Sequence, residues 1–82
     1  MEQAQVLGKV VEILTPYVKN EAALASLQPD MNILDDLKVN SARLIDVVLA
    51  FEDEFGIEVK DDEIDGVLTV GDAVNLICSK LN

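Results

Sequence analysis

From Ser41 to Phe55 the side chains of Leu44, Val47, Val48, Phe51 and Phe55 recur at the i, i+3, i+4, i+7 spacing of one helical face, and Gly56 follows at once. That spacing suits an α-helix with an inward stripe and fails the two-residue period of a strand. A glycine just past the stripe is a stop signal. One such helix cannot bury its own stripe, so the rest of the 82-residue chain must supply the opposing surfaces. Ile45 and Leu49 lie off the stripe, beside Asp46, Glu52 and Asp53. A wide core face would absorb these two; we read them instead as an exposed apolar strip.

Leu7, Val10, Leu14 and Tyr17 predict a first helical region over about 3–18, with Val11 and Ile13 widening its face. Pro16 interrupts it. Either the helix ends near Leu14, or Thr15 caps a further turn with Pro16 at its first position. The Ala-rich stretch 21–27 also suits a helix, so a kinked first helix and two short ones are both open. Residues 28–40 read as a long connection. Pro29, Asp30 and Asn32 favour turns, while Ile33, Leu34 and Leu37 are spaced to pack over the helices.

Residues 56–59 alternate like a strand but have no partner, so we read an extended link with Ile57 and Val59 turned inward. Residues 60–66 hold one short helix, with Ile64 inward. Thr69 caps a last helix beginning near Val70, Asp72 completes the capping box, and Val70, Ala73, Val74 and Ile77 face inward. The expectation is one all-α domain over residues 1–82. It is a small bundle of three longer helices and one short helix, with a long loop after the first helical region.

Asp and Glu number 16 against 6 Lys and Arg, a net charge of -10. That disfavours nucleic acid, whose phosphates need cationic patches, and anionic membranes equally. A partner with a basic docking surface fits better. There is no His and one Cys, Cys78, so neither a Cys/His zinc site nor an internal disulfide is available. No apolar run reaches the length of a membrane span, and Met1, Glu2 and Gln3 lack the basic region of a secretory signal. We expect a cytoplasmic monomer.

Candidates for chemistry are few. Asp35/Asp36 and Asp61/Asp62 are paired carboxylates, but acid–base work needs a cleft that separates two pKa values. We read them as a solvated face or helix ends. The spacing of Asp61, Asp62 and Glu63 to Gly66 does not make a calcium loop, and no metal site is expected. Cys78 lies near the inward face of the last helix and reads as a partly buried, inert thiol. Ser41 differs. It sits at a loop-to-helix junction, either as the cap or in the first turn behind Asn40. Its hydroxyl lies at the positive end of a helix, which suits a phosphate group.

The run Asp36-Leu37-Lys38-Val39-Asn40-Ser41-Ala42-Arg43-Leu44-Ile45-Asp46, continuing to Val59, resembles the core of an acyl carrier protein. Thr69-Val70-Gly71-Asp72-Ala73-Val74 is similar to that family's last-helix element. The resemblance covers about 33–77 and implies an acyl-carrier-like fold and carriage rather than catalysis. It implies that Ser41 receives 4′-phosphopantetheine from coenzyme A through a phosphopantetheinyl transferase, and that acyl chains ride on the arm's thiol as thioesters. It further implies docking of acyl-transferring or synthase enzymes through basic patches, with Asp46, Glu52 and Asp53 matching the acidic positions and Ile45 and Leu49 the apolar ones. The bundle would shelter the acyl chain, each buried CH₂ contributing about 0.8 kcal/mol.

Four residues depart from the family pattern. Asn40 replaces an aspartate that helps bind the metal during arm attachment, Lys38 a glycine, Ala42 a leucine, and Arg43 an acidic or polar residue. We count Asn40, Ala42 and Arg43 with the docking residues and read a specialised carrier. Fatty-acid, lipid or related acyl metabolism is the expected setting. A peptidyl or aminoacyl carrier, or an unmodified helical interaction module, stands as the alternative. Ser26, Ser79, Thr15 and Thr69 are competing hydroxyls, each better explained by a loop, a terminus or a cap.

Overall fold

The computed structural model describes residues 2–81. Helix α1 spans Gln3–Leu14, α2 Glu21–Ala25, α3 Ser41–Phe55, α4 Asp61–Ile64 and α5 Val70–Leu81, with a 3-10 turn at Thr15–Tyr17. Three long helices are therefore accompanied by two short ones rather than one. The added element, α2, is the Ala-rich stretch, and Asn20 starts it by accepting the Ala23 N–H on its side-chain oxygen at 3.4 Å. α1 packs chiefly on α5 and also on α3.

Pro16 ends α1 at Leu14. It has no N–H to offer the helix, and the chain tightens into the 3-10 turn while Thr15 Oγ1 donates to Val11 O at 2.7 Å. The buried spine of α1 is Val6, Val10 and Leu14, all fully inaccessible. The expected stripe began one residue too late. Leu7 and Tyr17 are only half-buried and pack on the flank. In α5, Val70, Ala73, Val74 and Ile77 are buried as expected. Ile57, Val59 and Ile64 are half-buried rather than inward plugs. The core is apolar throughout, with no buried polar or charged side chain among the described residues.

The connection between α2 and α3 is tied down along its length. Ile33, Leu37 and Val39 are buried. Ile33 N–H donates to Leu68 O at 2.9 Å, Val70 N–H to Met31 O at 3.1 Å and Gly71 N–H to Pro29 O at 2.8 Å, around an antiparallel bridge of Asn32 with Thr69. At its other end the N–H groups of Lys19 and Asn20 share Leu37 O. The approach at Gly71 is tight, since a Cβ there would lie 3.0 Å from Pro29 O and Pro29 would have to shift by a few tenths of an ångström. Overpacking of this kind costs about 1–3 kcal/mol. Alanine regains only about 1 kcal/mol of helix propensity. Gly71→Ala should therefore lower the urea midpoint, and an unchanged midpoint would show that Pro29 moves aside freely.

Thr69 and Asp72 form the expected box. Asp72 N–H donates to Thr69 Oγ1 and Thr69 N–H to Asp72 Oδ2, both at 3.1 Å, and Leu68 N–H adds a bond to the same carboxylate at 3.2 Å. The Thr69 N–H, helped by that of Leu68, holds the Asp72 carboxyl below the ordinary aspartate range. Its contribution to stability is full above the unfolded value of about 3.9. It is lost as pH falls through the lower folded value. The difference in melting temperature between wild type and Asp72→Asn should shrink from neutral pH to about pH 3. A difference that holds constant would remove the carboxylate's charge from the account.

Candidate functional site

Helix α3 is 15 residues long and carries the sequence-predicted site on its outer face and first turn. Val47, Val48, Phe51 and Phe55 are buried and Leu44 is half-buried, so the inward stripe is as expected save for its first member. Gly56 closes the helix in the left-handed conformation, φ 64°, which glycine adopts without a Cβ penalty. Across from the stripe, Ile45 and Leu49 are 50% and 55% exposed. Asp53 is exposed on the same side, and Asp46 and Glu52 are half-buried.

Asn40, not Ser41, is the cap. Its side-chain oxygen accepts the Ala42 N–H at 2.9 Å and its backbone oxygen accepts the Arg43 N–H at 2.8 Å. Ser41 is the first helical residue, is exposed, and its hydroxyl enters no hydrogen bond among the described residues. Ala42 is exposed beside it. Arg43 donates to Asp46 Oδ2 at 3.2 Å, one turn along the helix. A cation in the first turn opposes the helix dipole, and Asp46 offsets it. Arg43 and Asp46 thus neutralise each other in part.

The remaining acids separate. Glu52 Oε2 accepts the Val59 N–H at 3.0 Å, which ties the link after Gly56 back to α3. Lys9 bonds Glu54 at 2.8 Å between α1 and α3, and this contact raises the Lys9 pKa. Lys80 bonds Glu63 at 2.9 Å between α5 and α4. The Lys60 backbone N–H, then Lys80, lowers the Glu63 pKa. In the loop, Asp36 Oδ2 accepts the Asn32 N–H at 2.7 Å, while Asp35 takes part through its backbone N–H, which donates to Asn32 Oδ1 at 2.9 Å. No group of three or more Cys, Asp or Glu gathers as a metal cluster among the described residues. Cys78 is half-buried against the core.

Two features escaped the sequence. Lys38 is in the left-handed region, φ 59°, where a glycine is the strain-free choice. Lys19 joins Arg43, Asn40, Pro16 and Tyr17 around one cleft, a meeting across sequence that local spacing does not announce. The Arg43–Asp46 pair was readable from its three-residue spacing.

A phosphodiester-linked arm requires an accessible hydroxyl that the fold does not otherwise use, and Ser41 meets that requirement. The family model described as a phosphopantetheine attachment site matches residues 4–77. An acyl carrier protein of Petrotoga mobilis is 37% identical over 82 residues, covering all of this chain and 94% of that one. The chain belongs to the acyl carrier protein family. Another acyl carrier protein, from Acidothermus cellulolyticus, is 41% identical over 73 residues, 83% of this chain and 87% of its own. The solved acyl carrier protein of Enterococcus faecalis superposes with a TM-score of 0.80 at 36% identity, over 98% of this chain and 99% of that chain. That of Thermotoga maritima gives 0.79 at 31%, over 99% and 92%. Acyl carrier proteins are carriers rather than catalysts, and their cofactor is covalently attached 4′-phosphopantetheine.

Proposed function

We propose that this carrier, as one monomeric domain over residues 1–82 in the cytoplasm, holds acyl groups on an arm at Ser41 and presents them to enzymes of fatty-acid, lipid or related acyl metabolism. The observation that carries this reading is the exposed, unengaged Ser41 hydroxyl at the start of α3, followed by the Ile45–Leu49 strip. The arm, when attached, supplies a terminal thiol that holds an acyl group as a thioester.

The chain's own residues do the rest. Asn40 caps α3 and so fixes the direction of the first turn. Ile45 and Leu49 offer short-range apolar contact to a partner. Asp46 and Asp53, with the free oxygen of Glu52, offer attraction to a basic patch, which acts mainly on association rate. Ala42 removes bulk from the rim of that surface, and Arg43, by occupying Asp46, selects against partners that rely on a uniformly acidic helix.

Intact mass after incubation with coenzyme A, magnesium and a phosphopantetheinyl transferase tests the reading. It should rise by one arm, on the peptide containing Ser41; an unchanged mass overturns it. Asn40→Asp keeps the cap and adds an anion at the positive helix end, a gain of about 0.3–1 kcal/mol. It should also speed attachment at limiting magnesium. Equal rates would show that the transferase does not use that carboxylate here.

A further inference from the structure

Among the described residues only Lys38, glycine apart, has a positive φ, 59°. An L side chain is strained there and glycine is not. The fold imposes this conformation from both sides. Leu37 and Val39 are buried, and their N–H groups donate to Asn32 O at 3.1 Å and to Ile33 O at 3.2 Å. Position 38 must make the bend between them, and its side chain stays exposed. Backbone strain of this kind collects at functional sites. Lys38 makes no ion pair among the described residues, in a chain of net charge -10. Asp36 turns its carboxylate to the Asn32 N–H, and Arg43 is occupied by Asp46. Lys38 is therefore the free cation nearest Ser41 in sequence. Three peptide units join the two residues, so their Cα atoms are at most about 11 Å apart.

We propose that Lys38 steers arm attachment by attracting the anionic diphosphate of coenzyme A to Ser41, an inference that rests on the reading of Ser41 as the attachment residue. Attachment makes a demand that later steps do not. Enzymes that act on the cargo are reached along the arm, whereas the transferase must bring the diphosphate to Oγ itself. The Oγ–P bond forms as the P–O bond within the diphosphate breaks. Adenosine 3′,5′-bisphosphate leaves, and the hydroxyl proton passes to a base of the transferase. Negative charge grows on the leaving phosphate, and a nearby cation favours that change. Asn40 brings no carboxylate for a metal, and its side-chain oxygen is spent on the α3 cap. Lys38 supplies positive charge two residues away. At low salt a fixed charge acts over about 30 Å, so Lys38 need not touch the donor.

The test follows arm attachment by intact mass, at carrier concentrations low enough for the rate to report kcat/KM. Lys38→Arg, Lys38→Gln and Lys38→Glu all keep an L side chain at the strained position and change only its charge. Urea denaturation of each variant reports its folding. At about 10 mM salt, Lys38→Gln should slow attachment about twofold and Lys38→Glu about fourfold, since the second changes the charge by twice as much. Lys38→Arg should match wild type. The differences should vanish toward about 1 M salt, where the Debye length is about 3 Å. Raising magnesium at constant ionic strength should shrink the Lys38→Glu penalty, because the metal neutralises the diphosphate. Lys38→Gly should raise the urea midpoint and load as slowly as Lys38→Gln. Equal rates across the charge series, with wild type loaded, overturn the proposal alone. A charge effect indifferent to magnesium also overturns it, and gives Lys38 an acidic transferase surface instead of the diphosphate. A wild-type mass without the arm overturns the attachment reading and this proposal together.

Discussion

Ser41→Ala should take up no arm at all, while its stability stays within the roughly 0.5 kcal/mol typical of neutral surface changes. The two halves of this expectation are independent. Loading fails because the exposed hydroxyl is gone. Stability holds because Asn40 supplies the cap, accepting the Ala42 N–H, and Ser41 Oγ serves no hydrogen bond among the described residues. Were Ser41 the cap, its loss would cost about 0.5–2 kcal/mol. Intact mass reads the first half and urea denaturation the second. Modification surviving in Ser41→Ala would transfer the arm to another hydroxyl. A large stability loss would mean that Ser41 has a structural duty as well.

Leu37→Ala should be among the most damaging single changes, although Leu37 lies in a loop. Its side chain is fully buried in the common core, alongside Leu14, Ile33 and Ile77. Truncating a buried leucine to alanine costs about 2–5 kcal/mol. The whole stability of a small domain is about 5–15 kcal/mol. The same change loosens the segment that delivers Ser41, because the buried Leu37 side chain is one of its anchors in the core. A urea midpoint close to wild type would show that the connection can collapse onto the gap. A large drop with retained helical signal would separate loss of the loop from loss of the helices.

Much of this was legible in local sequence. The α3 stripe, its stop at Gly56 and the Thr69/Asp72 box were all written in spacing of a few residues, and all formed where expected. Pro16 left two outcomes open, because whether a chain restarts as α-helix or 3-10 turn depends on what Val18 and Lys19 meet beyond it. In α1, Val10 and Leu14 are buried as expected, and only the first member of the stripe was misplaced, by one residue. Val6 and Leu7 are equally apolar, and only the position of α5 decides which of them is buried. The exposed Ile45–Leu49 strip followed from its angle to the stripe. The Lys19–Arg43 cleft and the Glu52 bond to Val59 did not, since each joins segments whose approach the core alone sets.

The bridge of Asn32 with Thr69, and the bonds on either side of it, make the approach to Ser41 and the first turn of α5 one cooperative unit. Such units open together, with a single free energy, rather than residue by residue. Amides of Ile33, Val70 and Gly71 should therefore exchange with solvent at a common rate, though they belong to a loop and to a helix. The serine's lead-in is thus held by residues 68–71, which follow α3 and α4 in the chain. Leu68 and Gly71, remote from α3 in sequence, bear on the loop that leads to Ser41.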